Sequence, residues 1–201
     1  MATAVRRSEE ELKAMMPNKT IPPIGSETER PTWQEIKVCL TKCAENAAAI
    51  PSDGGDGLLG HVAIVVGNVR YSELSNNNVP YNEPPQAGHV PVYPANANTY
   101  QKDEIKRNHI KADVDYYTYH TVGKIITQQA LEAVHANYKS VFYTEELGYR
   151  CTFQQLIAQL DNSYGRKTSA ELTTNADELK KPWDASTPIQ SLFIRVDQCH
   201  R

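Results

Sequence analysis

The sequence has no run of lysine and arginine, no long apolar stretch and little phenylalanine, and each shortage closes off a class of answer. Its 201 residues carry a net charge of −3. Binding a phosphate backbone needs clustered cations, so no direct nucleic-acid site is expected. The most apolar window, GLLGHVAIVVG, falls well short of the ~20 residues that cross a bilayer, and no membrane partner is expected. The opening MATAVRRSEEELK lacks the apolar core of a secretory signal. The four cysteines, Cys39, Cys43, Cys151 and Cys199, are therefore read as reduced thiols in a cytoplasmic protein. Three phenylalanines stand against eleven tyrosines, so much of the aromatic content brings a hydroxyl that needs water or a partner.

What is present suffices for a packed domain: 40% of the residues are apolar and 22% charged. Residues 1–31 read as a flexible arm and linker. Ser8 and Glu11 form a capping box for two helical turns, and PNKTIPPIGSETERP follows with four prolines and a glycine. Thr32 then caps a helix placing Trp33, Ile36, Leu40, Cys43 and Ala47 on one face. Pro51 and SDGGDG end it, and the β-branched run Val62–Val66 reads as a short buried strand. Prolines 80, 84, 85, 91 and 94 punctuate a long loop, in which Val90–Tyr93 is expected to pair with that strand.

From Thr99 the periodicity is helical. One helix carries Ile105, His109, Ala112, Tyr116 and Tyr119 on a face, and a second, over 121–143, carries Val122, Ile126, Ala130, Val134, Tyr138 and Phe142. Thr152 caps a further amphipathic helix ending at Gly165, another begins at Thr168 or Ser169 and stops at Pro182, and a last one starts near Ser186. The expected fold class is mainly α, with one short strand or β-hairpin inserted near residues 61–93.

No phosphate-cradling loop, nucleophile elbow or H-E-x-x-H helix occurs in the sequence. Cys39 and Cys43 stand four apart on one helix, with Cys199 and His200 near the other end of the chain. They are read as small apolar side chains on a buried face rather than zinc ligands. The six histidines do not cluster, and His61 is read as hydrogen-bonded and structural. No catalytic residue, metal ligand or cofactor is assigned, and no enzymatic activity is expected.

Order and spacing carry more than any single motif. A leucine-rich helix ends in Tyr164-Gly165, a short helix with Leu172 and Asn175 follows, then the turn Pro182-Trp183-Asp184, then a helix start with Pro188, Ile189, Leu192 and Phe193. Upstream, Trp33 opens the pattern, and Gly60 and His61 stand in GLLGHVAIVV before RYSEL and a proline-rich stretch. Together these resemble the Gag-type capsid region of copia-like LTR retrotransposons, from about Trp33 onward. The resemblance implies a helical, capsid-type domain over 32–183 and, in 184–201, the first helix of a second capsid domain. It implies a structural, self-associating protein forming oligomers or virus-like shells, with itself and the downstream Gag region as partners. The sequence has no zinc knuckle and no basic tail, so RNA packaging does not carry over. The candidate contact surfaces are the exposed helix faces around residues 100–145 and the stripe Ile189, Leu192, Phe193 and Val196. That stripe either meets another molecule or folds back on its own domain. A domesticated interaction module that forms no shell is the alternative.

Overall fold

A computed structural model describes residues 5–165, 169–182, 187–193 and 196. The described chain is mainly helical: α1 (Glu9–Met15), α2 (Trp33–Ala48), α3 (Ala63–Leu74), α4 (Thr99–Ala133), α5 (Ala136–Lys139), α6 (Phe153–Leu160) and α7 (Ser169–Lys180). One two-stranded hairpin, β1 (Tyr143–Thr144) with β2 (Gly148–Tyr149), completes it. Among the described residues no helix is long and apolar enough to cross a membrane.

Side chains close the helix starts. Ser8 with Glu11, Thr32 with Glu35, and Thr152 with Gln155 each form a reciprocal capping box. Asn98, not Thr99, caps α4, again with a glutamine three residues on. The core gathers where α2, α3, α4 and α6 meet: Ile36, Cys39, Cys43 and Ala47 from α2, Val65 and Tyr71 from α3, Val122, Ile125 and Ile126 from α4, Phe153, Leu156 and Leu160 from α6.

Residues 5–31 are not an arm apart from this core. Leu12, Met16 and Ile24 are buried to within 1% of full exclusion, and Ile21 nearly so. The buried Asn46 of α2 reads the backbone of Asn18 in both directions, accepting from its N–H at 2.8 Å and donating to its carbonyl at 2.8 Å. Its remaining N–H reaches Gln129 Oε1 of α4 at 2.9 Å. Ile24 then pairs like a strand beside Val134: its N–H donates to the Ala133 carbonyl at 2.9 Å, and its carbonyl accepts from His135 N–H at 3.2 Å. That pairing also explains where α4 stops. Val134 takes extended backbone (ψ 127°), so the helix expected to run on to Phe142 ends at Ala133.

The strand expected at Val62–Val66 is helical. Val65 and Val66 N–H both donate back to the Val62 carbonyl, at 2.9 and 3.0 Å. The run is apolar on all sides, and such short runs suit a buried helix as well as a strand. The helix kinks at Gly67 (φ 78°, ψ 162°). Gln154 Nε2 of α6 donates to the Ala63 and Ile64 carbonyls at 3.3 Å, just before the kink. The Val90–Tyr93 segment takes no regular structure and pairs with no strand among the described residues. The hairpin lies at 143–149 instead of 61–93, where Tyr143 and Tyr149 face each other with ring centroids 5.1 Å apart. The two helices expected over 99–119 and 121–143 begin as one 35-residue helix, because nothing at His120–Thr121 breaks the ladder.

Candidate functional site

The family-motif residues do not converge. Trp33 sits at the first turn of α2, 38% exposed, with Lys37 Nζ 5.2 Å over its ring, so it covers surface rather than lining the core face. Tyr164 is half-buried against Tyr138, ring centroids 5.1 Å apart, and Gly165 closes the turn after α6. Leu172 and Asn175 lie in α7, and Pro182, just beyond it, is exposed. Trp183 and Asp184 fall outside the described residues. Pro188 opens a helical turn, in which Ser191 and Leu192 N–H return to the Pro188 and Ile189 carbonyls. Leu192 and Val196 are half-buried, whereas Ile189 and Phe193 stay 51% and 65% exposed.

Gly60 and His61 form a buried joint. Gly60 is left-handed (φ 49°), and its missing side chain would point at the last carbonyls of α2. The His61 N–H donates to one of them, Ala47, at 3.0 Å. The imidazole lies between Tyr81 and Tyr119, and Tyr71 packs edge-on against Tyr81; His61 Nδ1 is 2.9 Å from the Tyr81 hydroxyl, which is 3.1 Å from Ser52 Oγ. Asp56 ties the preceding loop, accepting from Leu58, Leu59 and Asn76 N–H and from the Tyr71 hydroxyl. Burial works against the Asp56 carboxylate, but those backbone N–H groups outweigh it and lower its pKa. Tyr81 is raised to about 12, chiefly by burial.

Burial lowers His61 to about 4 and outweighs the opposing Pro51 carbonyl. Nε2 makes no hydrogen bond with good geometry, so the ring is held neutral with one partner, Tyr81. The ring is thus a buried, neutral part of the joint. Its titration has a definite sign. The unfolded chain binds the His61 proton from about pH 6.5 downward, and the folded one only near pH 4. Stability is therefore full above pH 6.5 and falls with pH, by about 2 kcal/mol at pH 5. Urea melts at pH 7 and pH 5, compared with His61→Leu, check this: the variant is expected to lose that share of the acid sensitivity.

Cys39 and Cys43 face each other inside α2, Sγ to Sγ 4.0 Å, both fully buried. Their mutual contact and burial push the Cys43 thiol up, which opposes the thiolate a metal requires. Cys199 and His200 fall outside the described residues, and among those described no three metal-ligating side chains gather.

All the buried side chains of α4 lie between Thr121 and Ala130; from Thr99 to His120 none is buried. This unburied part is tethered by Arg6 to Asp113, at 2.7 and 2.9 Å, and by Lys111 to Asp53 at 2.6 Å. The depression alongside it, about 1330 Å³, carries both signs of charge, with Arg7, Glu104 and Arg107 among its walls. A second groove, of about 860 Å³, opens at the other end of α4, between that helix, the hairpin and the start of α6. Val90 and Val92 project from the proline-rich segment at 71% and 87% exposure. Sequence reading named the helix faces around 100–145 as candidate surfaces but did not name the groove, whose walls come from α3, α4, the hairpin and the start of α6. No family model, no curated protein and no solved structure matches this chain.

Proposed function

We propose that the chain is a non-enzymatic structural protein that associates with copies of itself, in the manner of a retrotransposon Gag capsid domain. The observation that carries the reading is the first part of α4, Thr99–His120, in which no side chain is fully buried, although Ile105, Ile110 and residues 112–119 are half-buried. A helix held this far out by a few ion pairs gains little alone, since exposed pairs contribute about 0–1 kcal/mol each. Support also comes from the exposed apolar side chains Val90, Val92, Ile189 and Phe193 and from the order of the capsid-like motifs. Weak contacts repeated over many copies hold an assembly that no single contact would hold. The reading places assembly in the cytoplasm.

Light scattering after size exclusion, over a wide concentration range and at two salt levels, is expected to show mass rising with concentration. Negative-stain microscopy of the largest species then distinguishes closed particles from open oligomers. A monomer at every concentration overturns the assembly reading and favours an interaction module for another protein.

A further inference from the structure

We infer that two copies meet through the 143–149 hairpin, β1 of one lying antiparallel beside β1 of the other about a two-fold axis. The inference rests on the self-association reading and names the surface and geometry of one contact.

The hairpin presents an open edge. Glu145, Glu146 and Leu147 form its three-residue loop, and Gly148 (φ 65°) supplies the left-handed residue that closes such a loop. At the foot, Arg150 N–H donates to the Phe142 carbonyl at 2.9 Å and extends the ladder by one rung. A two-stranded hairpin gains little stability alone; a third strand or a packed face secures it. β2 turns toward the groove at the end of α4, where Tyr149 and Arg150 contribute wall. β1 contributes none of that wall and exposes both Tyr143 and Thr144. Among the described residues it pairs with β2 alone, so its outer edge is free to take a further strand.

Side chains add what so short an edge lacks. With two residues in each strand, edge hydrogen bonds alone hold little. Val141, Tyr143 and Leu147, however, are each more than half exposed, and the Tyr143 ring meets Tyr149 to widen the apolar surface. Apolar area gathered on one outward feature and rimmed by charge marks a contact site, unlike the same residues scattered singly.

Charge decides the occupant. The tip is acidic, with Glu145 and Glu146 both exposed. The foot is basic: Arg150 is exposed, and Lys139 lies 5.1 Å over the neighbouring Tyr149 ring. Neither tip carboxylate, nor the Arg150 guanidinium, has a partner among the described residues. A hairpin with its charges separated along its length is complementary to its own reverse. A two-fold set between Tyr143 and Thr144 lays Glu145 of each copy beside Phe142 of the other. Arg150 stands across the ladder from Phe142, so carboxylate-bearing and guanidinium-bearing residues lie about 10 Å apart, two strand spacings. The two side chains span that distance together. Parallel hairpins would instead set acid on acid, which is destabilising. A surface that meets itself in this way is isologous and closes at two chains, so larger assemblies need a further contact elsewhere.

The test reverses one end at a time. Glu145→Lys with Glu146→Lys makes a hairpin basic at both ends, and Arg150→Glu makes one acidic at both ends. All three side chains are exposed, and far-UV circular dichroism with thermal melts confirms that each variant keeps its fold. In sedimentation equilibrium at low salt, the unaltered protein is expected to dimerise. Each variant alone is expected to weaken the dimer about tenfold or more. Mixing the two variants is expected to restore it as a heterodimer, because each reversed end then meets its opposite, and all three changes in one chain restore it as a homodimer. Variants that associate as tightly as the unaltered protein, or a mixture no tighter than either variant alone, overturn this contact while self-association stands. An unaltered protein that is monomeric at every concentration overturns both. Dimers that obey the charge changes but never grow larger support the contact and remove the shell.

Discussion

A chain lacking residues 1–25 is expected not to fold. The deletion takes Leu12, Met16, Ile21 and Ile24 out of the core. Burying each contributes about 1.5–3 kcal/mol, together about 6–12 kcal/mol as an upper range. That sum is as large as the whole stability of an ordinary domain, about 5–15 kcal/mol. The polar losses point the same way. Asn46 is left in the interior with only Gln129, and the Ala133 carbonyl and His135 N–H lose Ile24; each buried group so orphaned costs about 1–3 kcal/mol. Circular dichroism should show loss of most helix and no cooperative thermal transition. A cooperative melt within a few degrees of the intact protein would restore the separate-arm description. The graded version is Ile24→Ala, expected to cost about 2–5 kcal/mol for a fully buried isoleucine.

Gly60→Ala is the second large effect, and it comes from backbone. The added methyl would lie 2.4 Å from the Ile50 carbonyl oxygen, 2.7 Å from that of Ala48 and 2.8 Å from that of Ala47. All three are backbone atoms at the end of α2, so no side chain can swing aside. The residue must also keep φ at 49°. The left-handed conformation alone costs an L-residue about 1–2 kcal/mol, and displacing the helix end from His61 brings the total to about 4 kcal/mol. At roughly 2–4 °C per kcal/mol for a chain this long, the melting temperature should drop by about 8–16 °C. Gly57→Ala is the control: its φ is 79°, but a methyl there meets nothing within 4 Å, so only the conformational share, about 1 kcal/mol, is expected. Equal losses at the two positions would show that the approach of loop to helix end carries no cost.

Legibility in the sequence followed the range of the interactions. Ser8 with Glu11 and the caps Thr32 and Thr152 were readable because a capping box is complete within four residues. The amphipathic face of α6 was readable for the same reason: Phe153, Leu156 and Leu160 repeat at helical spacing and are buried. Val62–Val66 was misread because its apolar residues surround the chain and define no face; what decides is where the backbone bonds go. The importance of Ile21 and Ile24 was hidden by the prolines around them, which mark irregular backbone but say nothing about burial. A trace existed nonetheless in Asn46, a polar residue on the apolar stripe of α2 between Cys43 and Ala47, which implies a backbone partner from elsewhere. Of the candidate surfaces, Ile189 and Phe193 are exposed, whereas the groove was not anticipated, since no local pattern announces walls drawn from several elements.

The pairing of Asn18 with Gln129, 111 residues apart, has a consequence for synthesis. At about 5–20 residues per second, the ribosome needs about 5–20 s to deliver the second partner after the first. Throughout that time Leu12, Met16, Ile21 and Ile24 travel ahead of the part of α4 that the segment packs against. Closing so long a loop is also the slow kind of folding step. On a polysome, neighbouring nascent chains would present these same four side chains to one another before α4 is made, so the order of translation leaves this segment sticky until its partner arrives.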